Sequence, residues 1–186
     1  MTLCLLAICL LCSALLAGVY ALTADTIENV KAQKNEQAVK SVLPEYATLE
    51  AEKSFNMNGE TYKYNRAVDK NGQPVGYAID VKPLGFGGPI EMKVGFKVDP
   101  STGEVIVWDT KVIKHSETPG LGAKCTESEF SAQFKEFNPS KKALEVKKEG
   151  GVDAITASTI TSKAYTQGVQ TALDVCCAIW QQDQIK

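Results

Sequence analysis

The first 24 residues of the chain contain no aspartate, glutamate, lysine or arginine, and Asp25 is the first charged residue. A helix of this length would span roughly 36 Å, more than the bilayer core of about 30 Å. Thr23 and Ala24 loosely resemble a secretory cleavage site, but the apolar run is longer than a usual signal core and lacks a basic start. The sequence therefore predicts one transmembrane anchor over residues 1–24.

The residues that flank this segment predict the side of the membrane on which the rest of the chain lies. No lysine or arginine precedes the apolar run, and Asp25 and Glu28 open the flank that follows it. Cytoplasmic flanks are normally rich in lysine and arginine. We therefore expect a single-pass protein of the cell membrane whose soluble domain lies on the extracytoplasmic side.

Residues 25–44 carry apolar side chains at roughly helical spacing, and Pro44 ends the pattern. These side chains are Ile27, Val30, Val39, Val42 and Leu43. The pattern predicts an amphipathic stalk helix over 25–44, followed by a single folded domain over 45–186. A domain of that length can bury a core without support from a metal or a disulfide.

The first half of the domain shows strand patterns separated by turn residues, although residues 45–60 are too mixed to assign. Residues 61–68 alternate, Asn71 and Gly72 supply a turn, and residues 74–81 return as a second strand, so a hairpin is expected. Two further strands are predicted over 90–98 and 104–113, on either side of the turn sequence Asp99-Pro100-Ser101-Thr102-Gly103.

The second half of the domain favours helices. Phe130, Phe134 and Phe137 recur at helical spacing, which predicts a helix that contributes to the core. A short strand is expected over 143–147, and a final helix over 161–179 should bury Tyr165, Val169, Ala172 and Leu173. Strands that come first and helices that come late predict an α+β domain with a largely antiparallel sheet and flanking helices.

Charge and motif content exclude several classes of function. The chain has 20 basic and 22 acidic residues, a net charge of −2, and no basic block, so no nucleic-acid partner is predicted. One histidine, His115, cannot build a His-rich metal site, and no metal site is predicted. No phosphate loop, G-x-S-x-G or H-E-x-x-H motif occurs, and no residue is assigned as catalytic. Whether Cys125 pairs with Cys176 or Cys177 is left open.

A tract of hydroxyl side chains directly precedes the final helix. Five hydroxyl residues occupy seven positions, namely Thr156, Ser158, Thr159, Thr161 and Ser162. One hydroxyl is enough to cap a helix. Five of them indicate a polar pocket or an anion site, since a helix N-terminus favours negative charge by roughly 0.3–1 kcal/mol.

This tract resembles the flavinylation motif of the FMN-binding domain found in the G subunits of Rnf complexes and the C subunits of Nqr complexes. That motif reads Asp, two residues, Ser or Thr, Gly, Ala, Thr. Asp153 and Thr156 match it, and the acceptor position falls on Thr159. Ala157 stands where the motif has glycine, at an expected cost on the order of 1 kcal/mol if that position needs a positive φ.

Two further segments resemble the same family, in the same order along the chain. The sequence of residues 115–122, HSETPGLG, resembles the family loop H-x-E-T-P-G-L-G, and residues 85–90 resemble its glycine-rich segment. Glycines in such loops let backbone N–H groups approach a ring or a phosphate closely. The resemblance implies a cofactor site formed by Thr159, Thr156, Ser158, Thr161, Glu117, Thr118, Gly120, Leu121, Gly87 and Gly88.

The resemblance also implies a function. The chain would be an electron-transfer subunit of a membrane-bound Rnf complex, which couples electron transfer between ferredoxin and NAD to Na⁺ or H⁺ translocation. A flavin transferase would attach FMN to Thr159 through a phosphodiester, and the other membrane and redox subunits would be its partners. The alternatives are a C-type subunit of the sodium-translocating quinone reductase, a stand-alone extracellular flavin reductase, and a tethered binding module without flavin.

Overall fold

The computed structural model describes residues 2–146 and 151–185, and it divides into two compact units, Met1–Gln37 and Ala38–Lys186. Helix α1 runs without a break from Thr2 to Val42. Within the described part of the chain, Cys4–Val42 is long and apolar enough to cross a membrane. The predicted anchor and stalk are therefore not separate elements, because no glycine or proline interrupts residues 19–43.

Six strands form one antiparallel sheet in the order β1-β3-β4-β5-β6, and β2 also pairs with β3. Their bounds are β1 Thr48–Leu49, β2 Lys53–Met57, β3 Glu60–Val68, β4 Pro74–Val81, β5 Glu91–Val98 and β6 Val105–Lys114. The four predicted strands of this sheet are confirmed to within one residue, and Gly72 adopts the positive φ of 78° that the β3–β4 turn needs. The fold class is confirmed as α+β.

One face of the sheet packs against the long final helix, α3, which runs from Thr159 to Gln184. Alternate residues of β4 and β5 point into this core, including Tyr77, Ile79, Val94 and Phe96. The helix contributes Tyr165, Val169, Ala172 and Leu173, all of them buried as predicted. The sheet therefore holds the central turns of α3 in a fixed position.

The opposite face of the sheet is covered in part by the last turns of α1. Val39 and Val42 pack against Ala67 of β3 and Ala78 of β4 in a second, smaller cluster. A Cβ at Gly95 would overlap the backbone carbonyl of Val42, so glycine is required at this close approach.

The segment between β6 and α3 is less regular than predicted. A 3₁₀ turn over Gly122–Thr126, the four-residue helix α2 (Ser128–Ser131) and a second 3₁₀ turn over Ala132–Phe134 replace one continuous helix. Phe130, Phe134 and Phe137 are nevertheless buried in the main core, as predicted. Phe137 lies beyond the helical turns, because its backbone pairs with Val107 of β6 instead.

The strand predicted over 143–147 is wrong for its described part. Within the described residues, Val146 forms only an isolated parallel bridge with Val152, while Lys147 lies outside them. The six cysteines all lie in the described part of the chain and are free thiols, so Cys125 does not pair with Cys176 or Cys177.

Candidate functional site

Three segments that are distant in sequence meet at the side chain of Glu117, which is 6% exposed. Its Oε1 accepts a hydrogen bond of 2.9 Å from the backbone N–H of Gly87, in the glycine-rich loop. Its Oε2 accepts a hydrogen bond of 2.7 Å from the hydroxyl of Thr161, in the first turn of α3. The carboxyl group therefore joins the loop over 85–90, its own loop over 115–122 and the N-terminal end of α3.

Glycines make room for this carboxyl group. A Cβ at Gly85 would overlap Oε1 of Glu117, and a Cβ at Gly122 would overlap Oε2. A Cβ at Gly87 would overlap the backbone carbonyl of Ser116. The glycine-rich loops are thus shaped to fit closely around Glu117, which shows that here they do more than turn the chain.

The chain reaches α3 through a strained connection. Ala157 has a φ of 60°, in the left-handed region that favours glycine. This is the position at which the family motif has glycine, so the expected cost on the order of 1 kcal/mol applies to it. Ser158 follows with a φ of −137° and makes no side-chain hydrogen bond that caps the helix.

The hydroxyl groups of the tract differ in their surroundings. Ser162 Oγ donates to the carbonyl of Ser158 and accepts the N–H of Ile155, both at 2.9 Å. Ser158, Thr161 and Ser162 are buried, whereas Thr156 and Thr159 are exposed. Thr159 is therefore the hydroxyl residue of the tract that is both exposed and located at the first position of α3.

Large apolar side chains that are exposed border the same site. In the part of the second unit that the structure describes, they are Leu84, Phe86, Leu121, Ile160 and Ile185. All except Ile185 lie next to residues that meet at Glu117, in the two loops and in the first turn of α3. We call Leu84, Phe86, Leu121 and Ile160 the apolar rim. A concentration of this kind is typical of a binding surface.

The other predicted site residues fall in two places. Thr118, Gly120 and Leu121 are exposed on the loop that follows Glu117, where the Thr118 carbonyl accepts the N–H of Leu121 at 3.2 Å. Gly88 lies across from Ser116 with a φ of 141°. The structure thus brings Gly87, Glu117 and Thr161 into direct contact, and it leaves the loop residues and Thr159 around them on the surface.

The sequence did not identify Gln133 as part of this region. Its Oε1 accepts the N–H of Asp153 at 2.8 Å, and its Nε2 donates to the Asp153 carbonyl at 3.2 Å. Two hydrogen bonds from one side chain fix the backbone where the hydroxyl tract begins. A glutamine in the α2 region carries no sequence signal for this role, because the two positions are 20 residues apart.

Beneath the site, burial changes the acidity of two groups. Burial, and secondarily the negative charge of Glu117, raises the pKa of the Cys125 thiol to about 11. Burial also raises the pKa of Tyr165, whose hydroxyl donates to Thr110 Oγ1 at 2.8 Å. Both groups stay protonated at neutral pH, so neither supplies a nucleophile there.

His115 forms a hydrogen bond within its own loop. Its Nδ1 accepts a hydrogen bond of 3.2 Å from the backbone N–H of Glu117. We expect His115→Ala to lower the free energy of unfolding by about 0.5–1.5 kcal/mol, the range for one hydrogen bond, and to leave covalent flavin labelling unchanged. Flavin fluorescence on a denaturing gel measures the second effect. Loss of the label in a folded His115→Ala chain would contradict this assignment.

Comparison with known proteins shows two family matches. A family described as "FMN-binding domain" matches residues 85–174, and one described as "RnfG N-terminal region" matches residues 2–42. The G subunit of the ion-translocating oxidoreductase complex of Methanosarcina acetivorans is 34% identical over 169 residues, covering 89% of this chain and 87% of that protein. The chain belongs to the family of Rnf G subunits.

Other Rnf G subunits are similarly close. The G subunit of the proton-translocating ferredoxin:NAD(+) oxidoreductase complex of Clostridium ljungdahlii is 34% identical and covers 89% of this chain and 84% of its own length. The corresponding subunit of the Na(+)-translocating complex of Acetobacterium woodii is 33% identical, with 82% of this chain and 79% of that protein covered. The crystal structure of Shewanella oneidensis NqrC has a TM-score of 0.43 at 20% identity, covering 59% of this chain and 54% of that one.

Family membership agrees with the features of the described structure. The matched FMN-binding region contains both loops, Glu117 and the first turn of α3. The matched N-terminal region coincides with α1, which places the protein in a membrane. The expectation of an Rnf-type subunit with an FMN-binding domain is therefore confirmed.

Proposed function

We propose that this protein carries FMN on Thr159 through a phosphodiester and passes electrons within an Rnf complex. The observation that supports this best is the environment of the hydroxyl tract. Ser158, Thr161 and Ser162 are buried, while Thr159 is exposed at the first position of α3. Thr159 is also the residue that the family motif aligns with the acceptor.

The residues around Thr159 fit an attached flavin phosphate. The first N–H groups of a helix have no partner within the helix, and the helix dipole favours negative charge at this end. Helix α3 has 26 residues and no acidic residue in its first turn. Its N-terminal end can therefore stabilise the charge that remains on a phosphodiester.

The apolar rim fits the flavin ring. Bound FMN supplies the redox chemistry, and the protein supplies its placement and its surroundings. Phe86, Leu121 and Ile160 are more than two-fifths exposed and lie on the three segments that meet at Glu117. Contact with a planar ring would remove part of their apolar surface from water.

The proposed partners of this chain are those expected for an Rnf G subunit. The proposed partners are the other membrane and redox subunits of an Rnf complex and, during maturation, a flavin transferase that moves FMN from FAD to Thr159. We place the soluble domain on the extracytoplasmic side, because acidic residues follow the apolar part of α1. Relatives are named for proton and for Na⁺ translocation alike, so the family does not fix the coupling ion.

Intact mass after denaturation tests the proposal. The chain co-expressed with a flavin transferase is expected to gain the mass of one FMN minus one water, since a phosphodiester survives loss of the fold. The control is the same chain expressed without the transferase, which should show the unmodified mass. An unmodified mass in both samples, with flavin released into solution, would rule out the covalent link. It would leave non-covalent FMN binding by the same site.

A further inference from the structure

We propose that Glu117 is a positioning residue for the acceptor threonine. Its carboxylate connects the first turn of α3 by hydrogen bonds to the loops over 85–90 and 115–122, and so fixes the orientation of Thr159. Both of its hydrogen bonds are donated to it, the pattern that a carboxylate accepts. The part of this inference that is measured by flavin labelling rests on the proposed function. The hydrogen bonds of Glu117 can be tested on the chain without flavin.

The site is built for a glutamate at this position. Two glycines, Gly85 and Gly122, leave the space that the two carboxylate oxygens occupy. The donors come from segments 30 and 44 residues away in sequence. An aspartate would be shorter by one methylene group and could not keep both contacts without movement of the loops. Hydrogen bonds to a charged group are among the stronger ones in proteins.

The first turn of α3 has few local interactions that would hold it without the Glu117 contact. The first residues of any helix lack bonds to a preceding turn and are prone to fraying. Ser158, directly before the helix, makes no side-chain capping bond, and Ala157 enters it at an unfavourable φ of 60°. Thr161, two positions after Thr159, is 1% exposed and donates its hydroxyl to Glu117. The contact with Glu117 therefore holds this turn through the Thr161 side chain, and not through the backbone N–H groups as a cap would.

Substitutions at Glu117 and Thr161 distinguish the positioning role from an effect on the overall stability of the fold. Thr161→Val removes the donor and keeps the side-chain shape, whereas Thr161→Ser restores a hydroxyl. Glu117→Ala removes both contacts. Glu117→Gln can accept from Gly87 with its oxygen and donate to Thr161 with its amide, because a hydroxyl group accepts as well as donates. Glu129→Gln is the control, since Glu129 is an exposed glutamate of α2.

Two measurements are made on each full-length chain in detergent. The first is amide hydrogen exchange over residues 156–162 without flavin, and the second is the rate of flavin labelling at a fixed transferase concentration. For Thr161→Val and Glu117→Ala we expect exchange in this segment to be faster and labelling slower, each by on the order of tenfold, the factor for one buried hydrogen bond. Thr161→Ser and Glu129→Gln should stay close to wild type in both, and Glu117→Gln should lie between wild type and Glu117→Ala, because its hydrogen bonds are to a neutral group.

Wild-type exchange and wild-type labelling in folded Thr161→Val would overturn the positioning role. Faster exchange in every variant, the Glu129→Gln control included, would also overturn it. If Glu117→Ala does not fold, Thr161→Val decides the question alone. If the wild-type chain is not labelled at all, the proposed covalent link fails, but the exchange data still test whether Glu117 holds the first turn of α3.

Discussion

Replacing Thr159 with alanine is expected to remove covalent flavin from the chain entirely. The reason is chemical, because alanine has no oxygen with which to form a phosphodiester. The structural reason is that the other hydroxyls at the start of α3 are inaccessible, since Ser158 is 7% and Thr161 1% exposed. The measurement is flavin fluorescence on a denaturing gel, with intact mass to confirm that the unmodified chain is present.

Two matched variants sharpen this prediction. Thr156→Ala removes the other exposed hydroxyl and should reduce labelling at most partly. Thr159→Ser keeps the hydroxyl but loses the methyl group that restrains the side chain, so low or partial labelling is expected. A covalent flavin on the Thr159→Ala chain would contradict the assignment, and peptide mass mapping would then locate it. Thr156 would be the first position to examine, because it is exposed.

The strands could be predicted from the sequence because their patterns are local. Alternation and the turn at Asn71–Gly72 specify β3 and β4, and the observed bounds differ from the expected ones by at most one residue. The β2 strand was missed although its sequence carries a signal. Phe55 and Met57 alternate with polar residues and pack against the main core, and Asn58-Gly59 forms the turn into β3.

The site could be predicted only in part. The hydroxyl tract and the two loops stand out as unusual segments, and resemblance to a family related them to one cofactor. The hydrogen bond between Glu117 and Thr161 could not be anticipated, because it joins residues 44 positions apart and depends on how the loops fold. The sequence assigned Glu117 to the cofactor by resemblance alone, whereas the structure shows its side chain buried between the segments.

The continuity of α1 could not be predicted from the change in composition after residue 24. A charged residue changes the surroundings that a helix prefers, but it does not end the helix. Helix ends depend on capping residues, glycine and proline, and the first glycine or proline after residue 18 is Pro44. The helix accordingly extends to Val42.

The second large effect is expected at a buried ion pair in the centre of the sheet. Lys93 of β5 and Asp80 of β4 are direct cross-strand neighbours, and their side chains form an ion pair. Lys93 is fully buried, whereas the side chain of Asp80 is 22% exposed. Among the described residues, neither Lys93 Nζ nor Asp80 Oδ1 has another hydrogen-bond partner. Burial raises the pKa of Asp80, and the neighbouring ammonium group opposes that shift.

Asp80→Ala should therefore lower the free energy of unfolding by about 3–5 kcal/mol, because it leaves the buried ammonium group of Lys93 without a counter-ion. Adding Lys93→Met to this variant should recover most of the loss, since an apolar side chain of similar length does not need one. Denaturant unfolding of the full-length chain in detergent, followed by tryptophan fluorescence, measures both.

Lys111→Met is the control, because Lys111 lies opposite Lys93 on β6 but is exposed. It should change the free energy of unfolding by less than about 0.5 kcal/mol. If Asp80→Ala and the double variant were equally unstable, the loss of free energy of unfolding would come from packing around Asp80 and not from the unpaired ammonium group of Lys93.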